Sequence, residues 1–195
     1  MMRISVVLLA LLVPMVAAAQ NNENSSAGEA PTYSTYVATG YGFSLNLPDS
    51  GTIHSPNDAD WNEDQAVAFE WTGASDDPVI LIQGRVIDFE DELDAETFGI
   101  VCETFLEPFS DPEKHEIVTP KDPNNNKLLT IRGRDWNLIE VVDTSSGVDK
   151  AVHYSIFSTY SGDRIYTIVM FYLEPVGESV QAFGFPVISS FKATN

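Results

Sequence analysis

The chain has 195 residues, 29 of them acidic and 10 basic, for a formal net charge of −19. Such a polyanion repels nucleic acid and anionic lipid surfaces, so its charge argues against a nucleic-acid partner, and Arg132-Gly133-Arg134 is too small a basic patch to reverse this. The single cysteine, Cys102, excludes an internal disulfide.

Residues 1–19 read as a secretory signal. Arg3 gives the positive start, Ile4 to Val16 the apolar stretch, and Ala17-Ala18-Ala19 a small-residue cleavage site before Gln20. The apolar run falls short of the ~18 residues that suggest a membrane span, and Pro14 interrupts it. The expectation is an exported protein, periplasmic or extracellular, with no transmembrane span in the mature chain. Loss of Arg3 with the leader takes the net charge from −19 to −20. Residues 20–34 form a polar linker expected to be disordered, because they have almost nothing to bury. Residues 35–195 are expected to form a single α+β domain, a usual length for one core.

Within that domain Gly42 to Leu47 alternates Phe43, Leu45 and Leu47 and stops at Pro48, which predicts a strand. Asp49 to Gln65 reads as a polar loop around Trp61. Ala66 to Trp71 and Pro78 to Phe89 read as two strands. A helix follows from Asp94, with Phe98, Val101, Cys102 and Phe105 spaced as one apolar stripe and Asp94 as its N-cap. On that stripe Cys102 is expected to pack as a small hydrophobe. A short strand is expected near Ile117, and Lys127 to Arg132 and Trp136 to Val142 form a hairpin about Gly133.

Ala151 to Tyr160 and Ile165 to Leu173 are rich in β-branched and aromatic residues and form the central hairpin. Gly162-Asp163 at its tip suits a II′ turn, which places Ser161 opposite Arg164 and Phe157 opposite Ile168. One face then gathers Val152, Tyr154, Ile156, Ile165, Val169, Phe171 and Leu173; the other gathers His153, Phe157, Tyr166, Ile168, Met170 and Tyr172. Neither face is polar, so the sheet should be covered on both sides, most simply by helices. Gly177 to Phe191 is expected to be a final helix, kinked at Pro186, with Val180, Phe183, Val187 and Phe191 on one face.

This order of elements, with Tyr41-Gly42-Phe43-Ser44-Leu45-Asn46-Leu47-Pro48 near the start and Ile188-Ser189-Ser190-Phe191 at the end, resembles the PsbP-like family. The resemblance spans about Tyr36 to Phe191. It implies a three-layer α/β/α sandwich around an antiparallel sheet and a non-catalytic accessory role. It assigns no site residue.

Two acidic runs are the candidates for metal chemistry. Asp58, Asp60, Asn62 and Asp64 begin like a calcium loop, but Glu63 stands where the turn needs glycine and Phe69 where a bidentate glutamate belongs. Asp88, Glu90, Asp91 and Glu92 crowd negative charge ahead of the helix, whose own Asp94 and Glu96 are explained by its dipole. Both runs read first as solvated charge, so no metal and no cofactor is assigned. His54, His115 and His153 lack metal spacing, and there is no G-x-S-x-G or phosphate-binding loop. Trp61, Trp71 and Trp136 are candidates for lining a sugar or peptide groove, though aromatics more often belong to a core. The sequence thus reads as an exported, non-catalytic binding or accessory protein with a protein or small-ligand partner. The alternatives are a hydrolase whose triad assembles only in space, or a weak divalent-cation-binding protein.

Overall fold

Strands dominate the molecule. The computed structural model describes residues 32–54, 65–72, 78–118, 128–145, 151–173 and 184–194. In chain order these form β1 (Tyr33–Ala38), β2 (Phe43–Pro48), β3 (Thr52–His54), β4 (Gln65–Thr72), β5 (Pro78–Asp88), α1 (Ala95–Thr104), β6 (His115–Ile117), β7 (Leu128–Ile131), β8 (Arg134–Asp143), β9 (Val152–Ser161), β10 (Arg164–Leu173) and β11 (Lys192–Ala193). A short 3-10 turn at Glu107–Phe109 follows α1. Residues 184–189 are helical and are labelled α2.

The main sheet has eight antiparallel strands in the order β3-β4-β5-β10-β9-β8-β6, with β7 also pairing to β8. At its centre β9 and β10 pair in the register expected from the turn: Ser161 opposite Arg164, Tyr160 opposite Ile165, Phe157 opposite Ile168. Gly162 takes φ +63° while Asp163 stays at negative φ, which is the II′ geometry that matches strand twist.

Alternation then divides the core in two. Val152, Tyr154, Ile156, Ile165 and Val169 join Ile139 and Val141 on one face, under Phe98, Val101, Cys102 and Phe105 of α1 and its C-terminal end. Buried Ser158 and Thr167 lie within this face and satisfy each other through a 3.3 Å hydroxyl contact. The helix begins where expected, because the Asp94 carboxylate accepts from the Thr97 N–H at 2.7 Å. That bond holds the Asp94 carboxyl below its usual range, so the cap is lost only as pH falls through the depressed folded-state value.

The opposite face of the sheet carries Val67, Phe69, Ile82, Trp136, Tyr166, Ile168 and Met170. Its cover is a second sheet, ordered β1-β2-β11, together with α2, from which Phe43, Leu45, Val187, Ile188 and Phe191 point inward. Gly84 of β5 permits this approach: a Cβ there would stand 2.5 Å from Val67 Cγ1 and 3.2 Å from Phe43 Cζ.

Several expectations change. Among the described residues, α1 covers one face, whereas the other is covered by strands together with the short α2, because Phe43, Leu45 and Leu47 alternate inward from a strand that pairs on both sides. Strand β1 starts at Tyr33, inside the stretch read as linker, and β3 lies inside the stretch read as a polar loop. The last helix stops before Phe191. The Ser190 hydroxyl donates to Val187 O at 2.6 Å and accepts from the Asn46 N–H at 2.7 Å, which turns the chain out of the helix and onto β2. Val180 and Phe183 lie outside the described residues. Among the described residues no helix is long and apolar enough to cross a membrane.

Phe105 is 8% exposed and packs against the sheet from the end of α1. Phe105→Ala is expected to remove about 3–5 kcal/mol of unfolding free energy. In urea this appears as a lower midpoint at unchanged slope; an unchanged midpoint would contradict the assigned packing.

Candidate functional site

A concavity lies at the rim where the two sheets meet. Strands β7 and β8 are joined by Arg132-Gly133 alone, with Ile131 opposite Arg134. Both turn residues have positive φ, +50° at Arg132 and +78° at Gly133, which defines a type I′ turn. Such turns favour Asn-Gly, because a side chain in left-handed backbone crowds the following carbonyl and costs about 1–2 kcal/mol. Arg132 departs from that preference and leaves its side chain in solvent.

From the other side come α2, Phe191 and β11. Phe191 is the hub: it stacks on Phe43 (5.8 Å, 23°) and meets Trp136 edge-on (5.1 Å, 81°). The Arg134 guanidinium lies 5.2 Å above the Phe191 ring and donates to Tyr160 O at 3.3 Å, which fixes its position. Pairing of Lys192 with Ser44 brings a third cation alongside. These parts enclose an open groove of about 410 Å³, with Trp136, Ile188 and Phe191 as apolar floor and Arg132, Arg134 and Lys192 as rim.

The charge of this groove is opposite to that of the chain. Against 29 acids and 10 bases overall, its lining among the described residues holds three cations and no acid. The neighbouring Asp135 points to the other face of β8 and accepts from Thr130 Oγ1 at 2.7 Å. Trp136, only 1% exposed, belongs to both core and groove floor. Lys192 was not legible as a site residue, since it reaches the groove only through the pairing of β11 with β2.

None of the other described candidates lines this groove. Asp58, Asp60, Asn62, Asp64 and Trp61 lie outside the described residues, and nothing is described of the Trp71 side chain. Asp88 pairs with Arg164 at 2.7 Å, and Glu90, Asp91 and Glu92 are exposed. Among the described residues no three His, Cys, Asp or Glu side chains are grouped to hold a metal ion. His54 contacts Glu70 at 3.2 Å, and the His153 ring stacks on Tyr172 at 4.9 Å. Burial pushes the Cys102 thiol up to about 12, so it remains protonated at neutral pH.

One partly buried polar cluster joins β6, β8 and β9. Asp143 accepts from Ser145 N and Oγ at 2.7 and 2.8 Å, while His115 Nε2 stands 3.9 Å from its other oxygen. Tyr154 lies beside it, and burial together with that carboxylate pushes its hydroxyl up to about 12. The carboxylate thus sits between serine and histidine. Nucleophilic relay needs the imidazole in the middle, so this cluster cannot activate Ser145.

With this geometry the chain has a PsbP-like fold. Neither a family model nor a curated protein sequence matches it. Among solved structures it is similar to cyanobacterial PsbP (CyanoP) from Synechocystis, at 15% identity and a TM-score of 0.59, covering 88% of this chain and 98% of that one. The Saccharomyces cerevisiae Ran-binding protein Mog1p aligns at 11% identity and a TM-score of 0.53, covering 84% and 96%. A Bacteroides thetaiotaomicron crystal structure aligns at 12% identity and a TM-score of 0.53 over 83% of this chain, which spans only 48% of that longer one.

The left-handed Arg132 gives a direct test of the turn. Arg132→Asn is expected to raise stability by about 1 kcal/mol, because Asn tolerates this backbone better. Thermal unfolding should shift upward; a downward shift would mean that Arg132 contributes contacts to the folded state.

Proposed function

We infer that the chain is an exported, non-catalytic binding or accessory protein, and that it engages its partner at the groove between the β7–β8 turn and β11. The observation that carries this reading is the clustering of Arg132, Arg134 and Lys192 over an apolar floor in a strongly acidic chain. Solvated surface charge gives no reason for such clustering, whereas recognition of an anionic group does. The signal-like pattern read at residues 1–19 supports export. A Ran-binding protein shares the fold, so the architecture is compatible with a protein partner.

Arg132 and Lys192 are exposed, which makes charge reversal there a test of binding more than of folding. Affinity purification from the native cell envelope is expected to retain a partner on the wild-type chain and lose it on the Arg132→Glu/Lys192→Glu variant. Equal retention by both would move the site away from this groove. Turnover of an ester, peptide or glycoside substrate by the purified protein would replace the reading with an enzymatic one.

A further inference from the structure

We propose that the occupant of the groove is a short acidic segment of a protein partner that also carries an apolar side chain; this rests on the reading of the groove as the binding site. Three features specify that chemistry. The first is charge. At physiological ionic strength the Debye length is about 8 Å, so distant acids of this chain are screened while the three rim cations act at contact range. A short run of Asp or Glu meets those cations locally. A long polyanion, or an anionic membrane, would also meet the rest of a −19 chain.

The second feature is the identity of residue 132. The turn geometry favours Asn there, yet the residue is Arg at φ +50°. A local rule broken at the rim of a groove points to a use for the side chain, and the planar guanidinium pairs with carboxylates through two parallel hydrogen bonds.

The third feature is exposed apolar surface. Phe185 is 59% exposed and stands four residues before Ser189, hence on the same side of α2 as that groove-lining residue. Leu129 is 40% exposed and pairs directly across from Trp136, so it shares the face of the groove floor. A free inorganic anion would leave both side chains wet. A peptide with a bulky apolar residue among its acids would cover them.

The test uses a short fluorescent peptide alternating Glu and Phe, titrated against the protein by anisotropy, with isotope-labelled protein to map the contacts. The expected result is saturable binding that weakens with salt and shifts the amides of Gly133, Ser189 and Lys192. The Arg132→Asn/Lys192→Gln variant should bind about tenfold more weakly, as should a peptide with Gln for every Glu. Phe185→Ser should weaken binding as well. Because Arg132→Asn suits the turn and Lys192 is exposed, an undiminished melting temperature of the variant is expected to accompany its loss of binding. Equal binding of the Gln peptide, saturation of the same amides by inorganic phosphate, competition by phosphatidylglycerol vesicles, or shifts confined to another surface would each overturn the proposal. If a partner captured from the envelope depends on Arg132 and Lys192 but is not displaced by the peptide, this inference fails and the groove reading stands. If neither peptide nor partner depends on those residues, both fail.

Discussion

The central hairpin cannot face water on either side, and the rest of the fold answers that constraint. In β10 the residues from Ile165 to Met170 are all buried, with Ile165, Thr167 and Val169 on one face and Tyr166, Ile168 and Met170 on the other. Each large apolar side chain taken fully out of water contributes about 1.5–3 kcal/mol, so leaving either face bare would forfeit several such contributions. On one side the cover is α1 and the turn that follows it. On the other it is α2 and a small sheet built from two distant parts of the chain, β1–β2 and β11.

The groove follows from that second solution. A strand layer laid over a twisted sheet leaves a rim where the edges diverge, and here the rim falls between the β7–β8 turn and β11. Phe191 closes the bottom by touching Phe43, Trp136 and Tyr166, residues of both sheets. The same ring carries Arg134 on its outer face. Core packing and cation placement are therefore one arrangement, and a substitution at Phe191 would disturb both.

Much of the fold was legible because period-two alternation over ten residues in β9 and β10 leaves little freedom in register once Gly162 defines the turn. Asp94 and the stripe at Phe98, Val101, Cys102 and Phe105 fixed α1 just as well. Two of the shortest strands were not legible. β3 has three residues and β11 two, and pairing with β4 and β2 makes them strands where local pattern does not. Phe191 continued the helical spacing of Val187, so the periodicity ran past the point where Ser190 turns the chain out. The candidate site suffered most. Arg132 and Arg134 were visible as a pair, but Lys192 joins them only through a strand pairing between chain ends, and the stronger acidic signals led elsewhere.

Native-state amide hydrogen exchange followed through increasing denaturant tests the central role of the hairpin most directly. If β9 and β10 are the element the rest depends on, the amides of Tyr166 to Met170 exchange only through global unfolding and are the slowest in the molecule. Those of β1 and β3, at sheet edges, exchange earlier through local opening. Exchange of the Tyr166 to Met170 amides as fast as those of β3 would contradict the account.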